Sequence, residues 1–384
     1  MKSLIGTRIG ILGGGQLGRM FIQNALNYGV EINVLDDDPN CPCASIATNF
    51  ILGSLYDEAK INELAAISDV LTFEIEHLDA HVLHNLEQNG KKIFPTSKVL
   101  KIIQNKGIQK QFYENNLIPT ASFIIVDSND IFENKSFIDA LLDEDNLVVK
   151  ALTGGYDGKG VYIAKKSVIR DKGVIFEGDV LIEKFIPDAK EIAIIIARDG
   201  LGNIVAYEPI EMVFCPETNL VTHLFSPANI ENVIAEEAEK IARKTIEKLG
   251  GIGVFAVEMF VDSNNIIFVN EVAPRTHNSG HHTIEGFATS QYDQLLRILV
   301  DLPLGSTKLL APCAMINLVG AHQGDYKLDN IAQILGEEGV YLHLYGKKIS
   351  KPGRKLGHIT IVKQDIVQLQ NTLKKILPLA KIIP

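Results

Sequence analysis

The chain predicts an α/β domain of the βαβ kind followed by an α+β body, and three observations carry that expectation. Residues 5–18, IGTRIGILGGGQLG, run a short apolar strand into Gly13–Gly18, a literal G-x-G-x-x-G ahead of a helix pattern. From Pro119 the texture changes to short, alternating, β-branched segments, the pattern of an antiparallel sheet. An amphipathic helix over 231–249 then leads into a hairpin that carries two glutamates.

With 384 residues the chain can build two or three domains with real cores. No apolar run approaches a membrane span, and the N-terminus enters the strand RIGIL directly, without a signal peptide pattern. Four cysteines, Cys41, Cys43, Cys215 and Cys313, are too few and too scattered for a disulfide framework or a zinc site, which fits a reducing cytoplasm. The net charge of −10 argues against a partner bound through general electrostatics, so neither nucleic acid nor membrane is expected. Anionic ligands must then be met by local clusters, and Gly346–Lys355, GKKISKPGRK, is one. A solvated basic turn has the same composition.

Taken in order, the Gly loop is followed by a helix pattern that Gly29 stops and by a second strand ending at Asp36. That is the dinucleotide fingerprint in form, although a Gly loop at a helix N-terminus serves any phosphate. A third unit follows, with a helix (YDEAKINELAAIS) and the strand DVLTFEIEH, which Glu74, Glu76 and His77 close. Carboxyl ends of parallel strands line the ligand crevice, so these acids suit ligand hydroxyl or amino groups; solvated strand-end acids are the bland alternative. A helix is expected from about Val99 to Asn116, with a domain boundary near residue 100.

Six strand segments follow: ASFIIV, NLVVKAL, GVYIAK, VLIEKFI, EIAIIIARD and NIVAYEP, read as an antiparallel sheet. Within them Leu147–Val161, LVVKALTGGYDGKGV, ends a strand at Lys150 and gathers Gly154, Gly155, Gly158 and Gly160 around Asp157 and Lys159. Glycines let backbone N–H groups fold over an anion, and a lysine ending an apolar strand is costly without one. It is no Walker A loop, and an ordinary Gly-rich hairpin looks alike.

In the helix 231–249, Ile234, Ala238, Ile241, Ala242, Thr245, Ile246 and Leu249 share one face, and Gly250-Gly251 stops it. The strands GVFAVEMFV and NIIFVNEV follow, joined by DSNN. An even turn pairs Val261 with Ile266, sets Glu258 opposite Val269, and leaves Glu271 as its diagonal neighbour on the same face. Two carboxylates on one apolar face ask for a cation, and Mg2+ accepts such a pair together with nucleotide phosphates. An odd turn would instead leave one acid exposed. In VAPRTHNSGHH, Pro274 and Gly280 break regular structure, so His277 and His281 are not expected at i, i+4 on one helix.

The order of these parts resembles the ATP-grasp superfamily. GGGQLGRM, TFEIEH, LVVKALTGGYDGKG, NEVAPRTHNSGHHT and KPGRKLGH further resemble the N5-carboxyaminoimidazole ribonucleotide synthetase family of purine biosynthesis, over residues 8 to about 360. The resemblance implies an ATP-grasp fold with a Rossmann-like pre-ATP-grasp domain (1–100), an ATP-grasp domain (101–304, its glycine-rich loop subdomain about 119–186) and a small C-terminal domain (305–384). It implies a ligase reaction in which ATP phosphorylates bicarbonate to carboxyphosphate, which carboxylates the exocyclic amine of 5-aminoimidazole ribonucleotide. ADP and phosphate leave, and the working unit is a homodimer.

By that resemblance, Lys106 and Lys150 hold ATP phosphates, and Gly155, Tyr156, Asp157, Gly158, Lys159, Gly160 and Val161 close over them. Glu183, Lys184, Phe185 and Ile186 form the adenine hinge, with main-chain groups reading the base edge, Glu191 accepts the ribose hydroxyls, and Glu258 and Glu271 bind Mg2+ beside Asn270. The ribonucleotide meets Gln16, Leu17, Glu74, Glu76, His77, Arg275, His277, Asn278 and Ser279, with Lys347 and Arg354 on its 5′-phosphate. Tyr156, Asp157, Arg275 and His277 stand nearest the chemistry. Val213 and Cys215 depart from the family, whose relatives carry Asn and His in a P-x-x-x-N-x-H pattern, and Lys348 can exchange roles with Lys347. Three rivals stand beside it: a formate-dependent glycinamide ribonucleotide transformylase of the same architecture, an NAD(P)-dependent dehydrogenase suggested by the first 40 residues, and a non-catalytic nucleotide sensor, against which both Glu258 and Glu271 are present.

Overall fold

A computed structural model describes residues 4–131, 145–154 and 160–384. Among the described residues the strands form four sheets, and no helix is long and apolar enough to cross a membrane. The first sheet is parallel: β1 (Arg8–Leu12), β2 (Glu31–Asp36), β3 (Asn49–Leu52), β4 (Val70–Phe73) and β5 (Lys92–Ile93), in the order β3-β2-β1-β4-β5. That order reverses between β1 and β4, so the Gly loop after β1 and the acids after β4 share one crevice. The strand expected to reach His77 ends at Phe73, and Glu74, Glu76 and His77 lie in the loop beyond it.

The helix expected over 99–116 is two helices, Ser97–Gln104 and Lys106–Asn115. Asn105 parts them, because its backbone is extended and its side chain accepts from Ile108 N–H at 3.0 Å, the geometry of an N-cap. The break places Lys106 in a first helical turn, with Lys110 one turn further on the same face.

The strands expected in one antiparallel sheet divide between two. β6 (Phe123–Asp127), β7 (Asn146–Ala151), β8 (Val161–Lys165) and β9 (Asp179–Lys184) form one in the order β6-β9-β7-β8. Pro187, which cannot donate to a ladder, and Asp188, with φ at +51°, turn the chain out before the next sheet begins. That sheet holds β10 (Lys190–Arg198), β11 (Ile204–Ala206), β12 (Ile210–Phe214), β13 (Val221–Ser226), β14 (Gly253–Val261), β15 (Ile267–Ala273) and β16 (Cys313–Val319). After β17 (Lys327–Leu328), β18 (Val340–Leu344) and β19 (Lys355–Val362) complete it, giving β15-β14-β10-β12-β13-β16-β19-β18 with β11 on β10. The unit expected from about residue 305 is therefore continuous with the central sheet through β13 and β16. It also has a core of its own under the helix Ile366–Ile376.

One face of β10 and β14 (Ile192, Ile194, Ile196, Val257, Met259) packs on the helix Asn232–Leu249. Ala238, Ile241, Ala242, Thr245, Ile246 and Leu249 point inward as the spacing predicts, Ile234 is half-buried, and Gly250 (φ +68°) ends the helix. The other face is covered only in part. Ile195, Ala197 and Ala256 meet the helix Gln291–Leu299, which the helix Gln16–Ala25 joins through Phe21 and Met20. Asp293 ties this helix to the turn that follows Gln16–Ala25, accepting from Tyr28 Oη at 2.5 Å, and also accepts from Arg297 Nε on its own helix at 2.7 Å. The uncovered end of that face carries Glu191 and Glu258.

The hairpin register differs from the expected one. Val261 pairs with Ile267, not Ile266, so the turn is the odd run Asp262–Ile266. The Asp262 carboxylate closes it by accepting from Asn264 N–H (2.9 Å) and Ile266 N–H (2.8 Å), and Asn265 takes φ +63°. Met259 then faces Val269, and a bulge at Asn270 sets Glu258 directly opposite Glu271. The odd turn and the bulge cancel, so both acids face the same side after all.

Candidate active site

The acid pair is met by two lysines. Lys106 Nζ lies 2.5 Å from Glu271 Oε2, and Lys150 Nζ donates to Asn270 Oδ1 at 2.9 Å. Glu258 is pushed up by burial and then by the charges of Glu271 and Glu191, whereas Lys106 holds Glu271 down. Glu191 shares that face, and burial raises its carboxyl to about 7 against the pull of Lys150. Two facing carboxylates, one already bound by an ammonium, form a donor set that demands positive charge. Among the described residues no group of three or more His, Cys, Asp or Glu could hold a metal by itself. A pair completed by nucleotide phosphates is the arrangement Mg2+ takes.

The hinge role expected of Glu183 is a main-chain one, and its side chain has partners of its own. Its side chain is buried between Lys110, with which Oε1 forms an ion pair, and Lys150, 2.5 Å from Oε2. Only its main chain is left for a hinge, and there Lys184 N–H is already given to Ser122 O, leaving Phe185 and Ile186 beyond the strand end. Burial would raise Glu183, but Lys110 and Lys150 more than offset it and the carboxyl lies at about 2. Lys110 is itself drawn below the ordinary lysine range by burial, so the net gain is smaller than the shift of Glu183 alone. A carboxyl depressed in the fold stabilises above its unfolded value and loses that contribution as pH falls. Stability carried by Glu183 should therefore drain away from pH 4.5 down to about 2. Glu183→Gln should flatten that part of the acid limb, as urea midpoints at stepped pH would reveal; an unchanged limb counts against the assignment.

The loop after β15 brings Arg275 and His277 to the pair. Arg275 Nε lies 2.8 Å from Glu76 Oε1, which ties this loop to the first domain. His277 Nε2 sits 3.3 Å from Glu258 Oε1, and its Nδ1 lies 2.8 Å from Ser279 Oγ. His277 and His281 flank a single 3-10 turn and do not share a helix, as expected. Gln291, fully buried, clamps His277 by accepting from its N–H and donating to its C=O, both at 2.8 Å. Asn278 exchanges amide bonds with Asn317 on β16 (2.9 and 3.0 Å), and Ser279 is buried, so both hold the loop.

The Gly loop does not present an empty anion cradle. Glu74 accepts from Gly15 N–H and from Gly18 N–H (2.5 Å), and Asp36 accepts from Gly14 N–H at 2.6 Å. A Cβ on Gly15 would come within 2.6 Å of Glu74 Oε1, which explains the glycine there. Loop donors already filled by two carboxylates repel a pyrophosphate, and the dehydrogenase alternative falls on that. Glu74, expected to face ligand hydroxyl or amino groups, gives both its oxygens to the Gly loop here. Leu17 is buried in the core, so any contact from it is main-chain, while Gln16 remains half-exposed.

Burial raises the Glu74 carboxyl above its ordinary range, against the Gly18 and Gly15 hydrogen bonds and the charge of half-buried Lys347, whose Nζ donates to Lys355 O at 2.9 Å. Lys348 is exposed and donates to Asn40 Oδ1 at 2.7 Å. Arg354 donates to Ile349 O at 2.9 Å, bracing the basic turn. Glu191 pairs with Met212, so Met212 and not Val213 shares its face; Val213 faces His223 instead. Gly155, Tyr156, Asp157, Gly158 and Lys159 lie outside the described residues, while Gly160 (φ +76°) and Val161 open β8 opposite Lys150. Sequence reasoning missed Lys110, although it shares a helical face with Lys106. It also missed Lys355, whose charge reaches Glu258.

Three family models match consecutive parts of the chain. They are the ribonucleotide synthetase pre-ATP-grasp domain over residues 6–104, the ATP-grasp domain over 111–292, and the phosphoribosylaminoimidazole carboxylase C-terminal domain over 313–372. Fold and site together define an ATP-grasp ligase. The N5-carboxyaminoimidazole ribonucleotide synthase of Brucella melitensis biotype 1 is 34% identical over 362 residues, covering 93% of this chain and 97% of the relative. This chain belongs to the N5-carboxyaminoimidazole ribonucleotide synthase family. The chloroplastic phosphoribosylaminoimidazole carboxylase of Vigna aconitifolia is 36% identical over 375 residues, 95% of this chain but 66% of that longer protein. The solved Aspergillus clavatus N5-carboxyaminoimidazole synthase, in complex with ADP and 5-aminoimidazole ribonucleotide, superposes with a TM-score of 0.88 at 30% identity, covering 97% and 98% of the two chains.

Proposed function

We propose that this chain carboxylates 5-aminoimidazole ribonucleotide with bicarbonate and ATP, giving N5-carboxyaminoimidazole ribonucleotide, ADP and phosphate. The observation that carries the reading is the meeting of Lys106, Lys150, Glu258 and Glu271, with Arg275 and His277 beside them. Phosphoryl transfer asks a protein mainly for positioning and charge neutralisation, and this constellation offers both. Bicarbonate oxygen displaces ADP from the terminal phosphoryl group, forming carboxyphosphate. The exocyclic amine then attacks its carboxyl carbon, the C–O bond to phosphate breaks, and the amine loses a proton.

Lys106 and Lys150 would hold the phosphates, and Glu258 and Glu271 would hold Mg2+, which supplies further neutralisation of phosphate charge. His277, gripped by Gln291 and aimed at Glu258, orients that carboxylate. Arg275, paired with Glu76, closes the crevice on the ribonucleotide side. Lys347 is the cation set against the N-terminal loop and is assigned the 5′-phosphate, with Arg354 bracing the turn. Release of ADP with bicarbonate and 5-aminoimidazole ribonucleotide, followed in a coupled assay, tests the reading. Turnover only with formate and glycinamide ribonucleotide would overturn it.

A further inference from the structure

Lys110 has no part in the roles assigned above, yet it is one of the most deeply buried charges in the molecule, 3% exposed. Three elements fix its ammonium. It projects from the helix Lys106–Asn115, forms an ion pair with Glu183 Oε1 on β9, and donates to Thr120 Oγ1 at 2.5 Å. The Thr120 hydroxyl in turn donates to Val269 O on β15 at 2.7 Å. Glu183 Oε2 lies 2.5 Å from Lys150 Nζ, which reaches on to Asn270 Oδ1 at 2.9 Å. Two cations thus share one anion, and of the two Lys150 also acts on the Glu191 and Glu271 carboxyls. Lys150 is the more exposed of the two lysines, 11% against 3% for their side chains, and adjoins the acid pair through Asn270.

We infer that Lys110 is a positioning residue for nucleotide binding: it occupies one oxygen of Glu183 so that the other can fix Lys150 without neutralising it. The inference rests on the proposed assignment of Lys150 to ATP phosphates. Without Lys110, Glu183 is the full counter-ion of Lys150, and an arriving phosphate must compete with a buried carboxylate for the same ammonium. Buried charges of this kind are poor sources of stability compared with apolar packing, which leaves positioning as the reason for the third charge.

The test is calorimetric titration with ADP and Mg2+. Wild type should bind, and Lys110→Met should bind about tenfold more weakly, because an unbalanced Glu183 holds Lys150. Lys110→Met/Glu183→Gln should recover to within about threefold of Glu183→Gln alone, because Lys110 acts only through Glu183. That second comparison needs no buried unmatched carboxylate and stands even if Lys110→Met alone fails to fold. Wild-type affinity in a folded Lys110→Met overturns the inference, as does an equal loss on the Glu183→Gln background. A wild-type chain that does not bind ADP overturns the nucleotide reading itself.

Discussion

Glu271→Gln is expected to abolish ATP-dependent turnover, by about a thousandfold or more, while the chain still folds. The carboxylate of Glu271 holds Lys106 and completes the acid pair with Glu258 across the hairpin. An amide keeps the size and one acceptor but removes the charge that both a metal ion and the Lys106 ammonium need. Lys106 and Glu271 side chains are 22% and 40% exposed, so the loss of their ion pair is screened and should cost the fold only about 1 kcal/mol. ADP release in the coupled assay and thermal unfolding of the same preparation separate the two effects. Undiminished turnover would rule out the metal assignment.

Glu74→Ala should act in the opposite proportion, on the fold first. It deletes the acceptor for Gly15 and Gly18 N–H at the start of the helix Gln16–Ala25, leaving two partly buried donors unmet. Each unmet donor costs about 1–3 kcal/mol, so a loss of roughly 2–6 kcal/mol is expected in urea unfolding. Surviving enzyme should show a raised KM for the ribonucleotide and an ATP KM close to wild type, since the loop borders Lys347 and not the Glu258–Glu271 pair. Glu74→Gln, which keeps one acceptor oxygen, should fall between. Equal stability in all three proteins would show that the loop does not depend on this carboxylate.

Much of this was legible before any coordinates, and for identifiable reasons. The helix at 232–249 announces itself by six inward positions at helical spacing, and the βαβ start by strand, glycines and helix in sequence. Glu258 and Glu271 stood out because acids on apolar strands are expensive. The exact partners did not. Strand alternation has no symbol for one inserted residue, so the bulge at Asn270 was invisible, although Val269 and Val272 share a core three positions apart where alternation allows two. Asn105 looked like any polar residue in a helical run until its extended backbone made it a cap. Glu74 read as a ligand group because the position is right; that its oxygens turn back onto the Gly loop is a tertiary fact. Lys110 carried no local signal, because a lysine within a helical run is most often solvated.

The compensating turn and bulge also set a rule for length changes in this hairpin. Deleting one residue from Asp262–Ile266 alone would slide β15 by one step and rotate Asn270 and Glu271 away from Glu258. The acids would face each other again only if Asn270 gave up its bulge and joined the ladder opposite Met259, which would re-aim the amide that Lys150 holds. A length change at the hairpin tip is thereby coupled to the bulge beside the acids, and the one is absorbed only by giving up the other.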